Sequence, residues 1–295
     1  MKVLIIGYGS IGRRHANILN SHPKVRDLKV FTSQKNIKYK RISLKSEILK
    51  FDPDYFIISN ETNLHLNYLK FLENNFKHKD ILVEKPIFNK NFNFKVKNNR
   101  VFVGYNLRFH PILGIIQKKI KKKKIWSINI ITGSYLPKWR KNREYSKSYS
   151  SQKNNGGVLL DLSHEIDYLL WLIGDFKKLY SINKKISNLK IKSNDFYSLF
   201  AISKSKIYVN LSLNYFYKIP IRQIIIEGHN ISLKADLINN NLNINTNRIN
   251  KYYNFKNFDL NKMYLDEHNE IIYQKYKNIC RYEEALNTMK IIDRI

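Results

Sequence analysis

The fold assignment depends most on a segment near the start of the chain, Lys2-Val3-Leu4-Ile5-Ile6-Gly7-Tyr8-Gly9-Ser10-Ile11-Gly12. Its first five residues form an apolar run that is typical of a buried parallel strand. Glycines in the spacing G-x-G-x-x-G follow directly, and a helical pattern begins behind them. This order predicts a phosphate-binding turn of the dinucleotide type, because a helix N-terminus favours negative charge and glycines let the backbone approach a pyrophosphate. A glycine-rich turn without a ligand is the alternative.

Residues 1–105 alternate between short apolar runs and helical patterns, which predicts a doubly wound parallel sheet. Strands are expected at Lys2–Ile6, Leu28–Thr32, Asp54–Ser59, Ile81–Glu84 and Val101–Tyr105. Helices are expected at Ile11–Asn20, Leu44–Phe51 and Asn63–Asn75. The fold class is therefore α/β, with an NAD(P)-binding Rossmann domain over 1–105.

Residues 106–295 have a different pattern, in which strands follow one another without helices between them. Such succession predicts an α+β domain with an open, mostly antiparallel sheet. Strands are expected at Ile125–Tyr135, Lys177–Ile186, Asp195–Ile202, Ile207–Phe216, Gln223–Glu227 and Ile231–Ala235, with loops or hairpins over Leu237–Lys256. Helices are expected at Phe109–Ile120, Gly156–Ile173, Leu260–Tyr276 and Tyr282–Ile295. The last of these is expected to pack back on the Rossmann domain.

The composition first suggests a polyanionic partner, since 53 Lys and Arg against 23 Asp and Glu give a net charge of +30 over 295 residues. No basic helix, zinc motif or RNA-binding signature accompanies this charge, so we expect no nucleic-acid partner. Our hypothesis is that Lys, Asn and Ile, all encoded by A/T-rich codons, reflect compositional drift. A homologue from a G/C-rich genome that kept the charge would contradict it.

Hydrophobic content, the length of apolar runs and the cysteine count exclude several classes of protein. Hydrophobic residues make up 43% of the chain, which is enough for a packed core. No apolar run approaches the roughly 20 residues that span a bilayer. Cys280 is the only cysteine, so an intrachain disulfide and a cysteine metal cluster are excluded. We expect a cytoplasmic globular protein without a membrane anchor or a bound metal.

The end of the second predicted strand bears on the form of the cofactor. An NAD-selective site usually has an acid there, whereas this chain has Thr32-Ser33-Gln34-Lys35. Ser33 and Lys35 suit a 2′-phosphate, which favours NADP over NAD. The alternative is that both side chains are merely solvated and the site selects little between NAD and NADP.

Three further segments contain polar residues that could bind a ligand or transfer protons. Asn60-Glu61-Thr62-Asn63-Leu64-His65 follows the third predicted strand, and Glu84-Lys85-Pro86 ends the fourth. Ligands of a doubly wound sheet bind beyond the carboxyl ends of its strands, so both segments lie at the expected edge. The stretch 156–167, Gly-Gly-Val-Leu-Leu-Asp-Leu-Ser-His-Glu-Ile-Asp, opens a helix of the second domain.

Together with the glycine turn, these segments resemble the glucose–fructose oxidoreductase / inositol dehydrogenase / MocA family (Gfo/Idh/MocA). The resemblance runs along nearly the whole chain and includes Val103–Pro111 and Tyr282–Leu286. It implies hydride transfer between a nicotinamide and a secondary alcohol or ketone of a sugar or polyol. It also implies a cis peptide bond before Pro86, a domain over 106–295 that serves substrate binding and oligomerisation, and a dimer or tetramer.

The resemblance carries catalytic roles onto three residues. Lys85 would take the hydroxyl proton, and burial beside a positive charge would lower its pKa toward neutrality. His164 would hydrogen-bond the reacting oxygen as acid/base partner. Asp161 precedes His164 by three residues, so both are expected on one helix face. The family more often has four residues there, which puts the role of Asp161 in doubt. Asp167 is a candidate substrate contact or a structural group.

Cofactor contacts are expected along the carboxyl edge of the sheet. The predicted residues are Gly7, Gly9, Ser10, Ile11, Gly12, Ser33, Asn60, Thr62, His65, Glu84 and Lys85. Arg108 lies in the segment that enters the substrate domain. It would hold an anionic substrate or form an internal ion pair, and the sequence leaves both open.

Basic and aromatic residues are interleaved in the loop Tyr135–Ser150. Arg140 and Arg143 would contact a phosphate or carboxylate, while Trp139 or Tyr145 would stack on a sugar or base. The pattern is similar to a family subgroup associated with bacterial surface-glycan genes, which implies an anionic or nucleotide-linked sugar. A solvated basic loop or an oligomer contact is the alternative.

Two classes of function stay in competition at this point. The first is an NAD(P)-dependent sugar oxidoreductase. The second is a catalytically inactive nucleotide-binding or regulatory protein on the same scaffold. The presence of Lys85 and His164 favours the first, and the shortened spacing from Asp161 to His164 leaves room for the second.

Overall fold

The structure is a computed structural model that describes residues 1–140 and 144–293. The chain divides into two compact units. The first unit consists of Met1–Phe109 and Asp259–Lys290. The second consists of His110–Phe258 and the residues described after Lys290.

In chain order, the strands are β1 Lys2–Ile6, β2 Asp27–Phe31, β3 Lys40–Ile42, β4 Tyr55–Ile58, β5 Asp80–Val83, β6 Arg100–Val103, β7 Ile125–Gly133, β8 Phe176–Lys184, β9 Phe196–Ser203, β10 Tyr208–Asn214, β11 Ile221–Gly228, β12 Ile231–Asp236, β13 Asn241–Asn245, β14 Asn250–Asn254 and β15 Cys280–Arg281. The helices are α1 Ser10–Asn20, α2 Lys45–Phe51, α3 His65–Asn75, α4 Pro111–Ile120, α5 Val158–Asp161, α6 His164–Ile173, α7 Asn261–Ile272 and α8 Tyr282–Ile292.

The first unit contains a sheet with the strand order β15-β6-β5-β4-β1-β2-β3. Its strands pair in parallel except for β15, which is antiparallel to β6. All residues of β4 and β5 are buried, as expected for central strands of a parallel sheet. The predicted Rossmann architecture is confirmed. The edge strand β3 was not expected, because it is short and only Ile42 of its three residues is buried.

Helix α7 belongs to the first unit, whereas the sequence pattern placed its residues in the second domain. Met263, His268 and Ile271 of this helix are buried, and Ile271 lies in the same apolar cluster as Val3 and Tyr55. Burial of this helix face stabilises the docking of α7 on the Rossmann core. The amphipathic pattern of α7 indicates that it covers a core but does not say which one.

The second unit contains a sheet with the order β14-β13-β12-β11-β7-β10-β9-β8. Its neighbours are antiparallel except for the parallel pair β7 and β10. The predicted open, mostly antiparallel sheet is therefore confirmed. The Asn-rich segment forms the hairpin β13–β14, in agreement with the expected loops or hairpins.

The helix expected over Gly156–Ile173 is interrupted, so the prediction of one continuous helix was wrong. Two helices, α5 and α6, occupy this stretch and are separated by Leu162 and Ser163. Leu162 leaves the helical conformation, with φ −100° and ψ 29°. The buried carboxylate of Glu165, at the start of α6, accepts hydrogen bonds from Thr132 and Arg222 of the sheet. Asp161 and His164 thus belong to different helices and do not share one helix face.

In the described residues, no helix combines the length and the apolar character needed to cross a membrane. The same residues hold no cluster of three or more His, Cys, Asp and Glu side chains arranged for a metal ion.

Candidate active site

The glycine turn joins β1 to α1 with close backbone packing. Gly7 has φ +99°, and a Cβ atom there would lie 2.6 Å from the backbone nitrogen of Asn60. A Cβ atom on Gly12 would collide with the carbonyl oxygen of Gly7 and lie 2.8 Å from Oγ of Ser59. A Cβ atom on Gly9, by contrast, would meet no atom within 4 Å. Gly7 and Gly12 are therefore needed for packing, and Gly9 faces open space.

The open space at Gly9 adjoins the first turn of α1. This helix begins at Ser10 without a side-chain cap, and Ser10 is exposed while Ile11 is half-buried. The first N–H groups of a helix have no partner inside it, so they are available to an anion. This geometry fits the pyrophosphate of a dinucleotide.

The side chain of Asn60 gives an independent sign of a polar ligand. Both its amide nitrogen and its amide oxygen are buried, and neither has a hydrogen-bond partner among the described residues. An unsatisfied buried polar group costs about 1–3 kcal/mol, so its presence needs an explanation, and a bound ligand is one. Asn60 is the second residue after β4 and packs against Gly7, at the edge where the fold binds nucleotides. The residues present therefore fit a dinucleotide cofactor.

The other predicted residues after β4 hold the loop itself. Thr62 is buried, at the start of a short 3₁₀ turn. His65 is buried, and its two ring nitrogens lie 3.1 Å from the carbonyl oxygens of Asn60 and Ile87. Burial lowers the pKa of His65, which favours the neutral ring. The structure gives His65 the role of joining two loops, whereas a cofactor contact was expected from the sequence.

At the end of β2, the side chains that were expected to select the cofactor are accessible. Ser33 and Lys35 are exposed, whereas Thr32 is buried. Gln34 bridges back to the glycine turn, because its side-chain amide donates to the carbonyl oxygen of Tyr8 at 3.3 Å. Ser33 and Lys35 are thus free of the core and available to a ribose substituent.

Glu84 and Lys85 directly follow β5. The Glu84 carboxylate is nearly buried, with Oε1 2.9 Å from Nε2 of His15 and Oε2 3.3 Å from the backbone nitrogen of Lys85. Lys85 is half-buried, and the peptide bond between Lys85 and Pro86 is cis, as the resemblance implied. Lys85 therefore lies at the carboxyl edge of the sheet, where its amine can be partly shielded from water.

Arg108 is only 3% exposed and forms an ion pair with Glu284 at 3.1 Å. Both residues belong to the first unit. Of the two possibilities that the sequence left open, the structure shows the internal ion pair.

In the second unit, Asp161 lies at the end of α5 and His164 at the start of α6. Oδ2 of Asp161 accepts a hydrogen bond from the hydroxyl of Tyr215 at 2.5 Å. His164 is half-buried, and Asp167 is 2% exposed. Asp161 and His164 adjoin the same break between two helices, while Asp167 is part of the core.

The aromatic and basic loop forms a small pocket in the same unit. Trp139, Arg140 and Tyr145 line it together with Leu136, Ser148 and Ser150. Nε1 of Trp139 donates to Oγ of Ser134 at 2.8 Å, which orients the indole. The structure thus brings three of the four predicted loop residues together. The fourth, Arg143, lies outside the described residues.

Several polar residues near these sites were not expected from the sequence. They are His15, Tyr55, Tyr215, Arg222 and His268, all buried or largely buried. His15 follows the glycine motif on the inner face of α1, which was a usable signal. The partners of Tyr55, Tyr215 and His268 are distant in sequence, so no local pattern marks them.

The fold and the glycine turn define the first unit as the nucleotide-binding domain of a dehydrogenase-like protein. Residues 1–92 match the family GFO_IDH_MocA, described as an oxidoreductase family with an NAD-binding Rossmann fold. Over these residues the match confirms the resemblance inferred from the sequence, and the family is described as NAD-binding oxidoreductases.

Solved structures share the fold over the whole chain. The UDP-N-acetylglucosamine 3-dehydrogenase GnnA from Acidithiobacillus ferrooxidans aligns with TM-score 0.79 and 14% identity, covering 100% of this chain and 96% of that one. The WlbA dehydrogenase from Bordetella pertussis, solved with NADH and UDP-GlcNAcA, gives 0.77 and 15%, covering 100% and 94%. A levoglucosan dehydrogenase in complex with NADH gives 0.82 and 14%, covering 100% and 95%. No curated protein matches the sequence.

Proposed function

We propose that this protein is an NAD(P)-dependent oxidoreductase that transfers hydride between a nicotinamide and a secondary alcohol or ketone of a sugar derivative. The observation that carries the proposal is the buried, unpartnered amide of Asn60 beside the open space at Gly9. Two polar groups without partners at the nucleotide edge of a Rossmann sheet support a bound dinucleotide. Lys85 follows the neighbouring strand, so a proton-transfer group lies at the same edge.

The first unit would supply binding and proton transfer. The N–H groups at the start of α1 would hold the pyrophosphate, and Asn60 would satisfy its amide on the cofactor. A bound nicotinamide supplies the position that accepts or gives up the hydride. Lys85 would take the proton of the sugar hydroxyl when the alcohol is oxidised, and return it in the reverse direction. Glu84 would hold the backbone of Lys85 in place.

The second unit would supply the remaining polar groups. We propose His164 as the acid/base or polarising partner of the reacting oxygen, with Asp161 as its neighbour across the helix break. Relatives in fold are named as dehydrogenases of UDP-sugars and of levoglucosan, which supports a sugar substrate. The pocket with Trp139, Arg140 and Tyr145 supports an anionic or nucleotide-linked sugar, because it combines a guanidinium with aromatic faces. We propose surface-glycan biosynthesis as the context, on the likeness of the loop pattern to the family subgroup named in the sequence analysis.

The test is anaerobic absorbance of the purified protein with NAD and NADP across a panel of free sugars, sugar acids and UDP-sugars. Wild type should reduce the cofactor with at least one of them. Lys85→Ala should lose turnover on the order of 100-fold or more and keep NADH binding, because general acid–base catalysis contributes about that much. Lys90→Ala is the matched control, since Lys90 is an exposed lysine of the same loop.

Two outcomes would overturn the assignments. Normal turnover by Lys85→Ala would show that Lys85 is not the acid/base group. Tight NADH binding without turnover on any sugar would favour the catalytically inactive, nucleotide-binding alternative.

We propose further that the chain forms a homo-oligomer through one face of the second sheet. Tyr180, Ile182, Phe200 and Tyr208 are exposed there, and the register places Tyr180 opposite Phe200. The rings of Phe200 and Tyr208 lie 6.3 Å apart, so the apolar side chains form a continuous patch. Exposed patches of this kind usually mark an interface. Light scattering should give a dimer or tetramer for wild type and a monomer for Phe200→Lys.

A further inference from the structure

A line of buried hydrogen bonds runs through the first unit and ends at Glu84. Oε1 of Glu84 lies 2.9 Å from Nε2 of His15, and Nδ1 of His15 lies 2.9 Å from Nε2 of His268. Nδ1 of His268 lies 2.8 Å from the hydroxyl of Tyr55. His15, His268 and Tyr55 are all 0% exposed. Four side chains from β4, α1, α7 and the end of β5 thus form one connected chain.

We infer that His15 is a positioning residue for the Glu84–Lys85 segment, held in a single tautomer by His268 and Tyr55. The inference rests on the proposed function, because it matters for catalysis only if Lys85 is the acid/base group. His15, His268 and Tyr55 do not touch the reacting atoms in this assignment. They act through the Glu84 carboxylate, which accepts from the backbone N–H of Lys85.

The number of available protons decides which atom donates in each of these three hydrogen bonds. A neutral imidazole donates from one nitrogen and accepts at the other. If Glu84 is ionised, Nε2–H of His15 donates to it, and Nδ1 of His15 accepts from Nε2–H of His268. Nδ1 of His268 then accepts from the hydroxyl of Tyr55. Each hydrogen bond in this arrangement has one proton, and no donor is left over.

The opposite direction leaves a buried donor without a partner. If Glu84 carried a proton, all three bonds would reverse. If His15 were charged, the two bonds from His15 to His268 and from His268 to Tyr55 would reverse. In both cases Nδ1–H of His268 would donate to Tyr55. The hydroxyl proton of Tyr55 would then need another acceptor, whereas the hydrogen bond that this hydroxyl makes among the described residues is the one to His268. A buried donor without an acceptor costs about 1–3 kcal/mol. The arrangement with ionised Glu84 and two neutral histidines is therefore favoured.

The pKa values of Tyr55 and His268 agree with this assignment of protons. Burial raises the pKa of Tyr55 well above its ordinary value, with Glu267, Asp80 and Glu84 acting in the same direction, so Tyr55 keeps its proton. Burial lowers the pKa of His268 well below its ordinary value, which agrees with a neutral ring.

Other residues pack against His15 and Glu84 without taking part in these hydrogen bonds. The ring of Tyr264 lies edge-on to that of His15, and Arg14 lies over the ring of Tyr264. Gly104 leaves room for the carboxylate, because a Cβ atom there would lie 2.7 Å from Oε1 of Glu84. Glu84 is thus confined on one side by backbone and on the other by His15. Loss of His15 would free its carboxylate to move away from Lys85.

The tautomers can be measured without substrate or turnover. Nitrogen-15 NMR on histidine-labelled full-length protein near pH 7 should show His15 and His268 as neutral rings protonated at Nε2. The signals would be assigned with His15→Gln and His268→Gln. Tyr55→Phe, which removes only one hydroxyl, should shift the His268 Nδ1 resonance toward that of a ring without a donor. A charged His15, or protonation of either ring at Nδ1, would overturn the inference.

The functional consequence is tested by rescue. His15→Leu should lower kcat on the order of 10- to 100-fold and leave KM for the active panel sugar unchanged, because small misplacements of a catalytic group have such effects. His15→Gln should recover most of kcat, since its amide can both donate to Glu84 and accept from His268. His22→Gln is the control. His22 also bonds to the segment of α7, through Asn269 at 3.0 Å, but has no link to Glu84.

Each outcome decides one question. Equal loss in His15→Gln and His15→Leu, or wild-type kcat in a folded His15→Leu, would overturn the positioning role. If wild type turned over no sugar of the panel, the proposed function would be wrong. The NMR measurement would still test the hydrogen bonds from Glu84 to Tyr55, because it needs no turnover. If His15→Leu failed to fold, Tyr55→Phe and His15→Gln would provide both readouts.

Discussion

The hydroxyl of Tyr215 lies 2.5 Å from Oδ2 of Asp161, and the ring of the same tyrosine makes an edge contact of 5.2 Å with Trp139. Tyr215 is fully buried, and burial raises its pKa well above the ordinary value, so it donates its proton to the carboxylate. One side chain thereby connects the residue before the helix break with the aromatic wall of the loop pocket. The position of Asp161 is set by this bond rather than by a helix shared with His164.

Tyr215→Phe should therefore both destabilise the protein and disturb the loop pocket. A hydrogen bond to a charged group contributes about 1.5–3 kcal/mol, so urea unfolding should show a loss of that order. Tyr168→Phe is the control, because the buried hydroxyl of Tyr168 has no hydrogen-bond partner among the described residues. Its removal should change the free energy of unfolding little. Equal stability of the two variants would contradict the role given to Tyr215.

Gly9→Ala should separate cofactor binding from folding. Gly9 has φ −73° and open space around it, so an alanine is accommodated without strain. The added methyl group would, however, occupy the space proposed for the pyrophosphate. We expect an unchanged melting temperature and NADH binding weakened by about tenfold, which corresponds to about 1.4 kcal/mol.

Alanine substitutions at two other glycines serve as controls for Gly9→Ala. Gly12→Ala should lower the melting temperature, because its Cβ atom would collide with the carbonyl oxygen of Gly7. Gly114→Ala, in the middle of α4 with no atom within 4 Å, should be neutral or stabilising by about 0.5–1 kcal/mol. Full NADH affinity in Gly9→Ala would argue against a pyrophosphate at this turn.

Acid should destabilise the protein through its buried neutral histidines. Burial lowers the pKa of His110 to about 4 from an ordinary value of 6.5. Between these values the unfolded chain binds a proton that the folded chain does not. Stability from this residue is therefore complete above about pH 6.5 and is lost as the pH falls toward 4, by roughly 3 kcal/mol in all.

His110→Asn should flatten this part of the pH profile of urea unfolding. Asparagine can still accept from the backbone nitrogen of Ile112 at the start of α4, as Nδ1 of His110 does at 3.2 Å. The exposed His229 provides the control variant His229→Asn, which should keep the wild-type slope. An unchanged slope in His110→Asn would show that His110 is already charged in the folded protein.

The residues after β2 should control the choice between NADPH and NADH. Ser33→Asp places a carboxylate where NAD-selective sites have one, and it would repel a 2′-phosphate. We expect the ratio of the NADPH to the NADH dissociation constant to rise at least tenfold, as measured by fluorescence titration. Ser46→Asp is the control, because Ser46 is an exposed serine in the first turn of α2, where a carboxylate is tolerated. If the ratio stays constant, Ser33 does not face the adenosine ribose.

Local pattern was sufficient for most of the first sheet. The strand β1, the glycine turn and α1 were all expected within one residue of their observed bounds, because their apolar runs and glycines act over short distances. The strand β3 escaped prediction because its residues are mostly charged and exposed. The docking of α7 escaped it because a helix pattern records which face is buried but not the core that buries it.

In the candidate site, too, some features were predictable from the sequence and others were not. Local sequence was enough to place these residues at the carboxyl ends of the strands, because apolar runs and glycine spacing are local properties. Which of these residues have hydrogen-bond or ion-pair partners depends on the folded structure. It directed Arg108 to Glu284, separated Asp161 from the helix of His164, and joined Glu84 to Tyr55 through two histidines. Hydrogen bonds and ion pairs between residues far apart in sequence depend on how the chain packs, and hydrophobic periodicity carries no information about them.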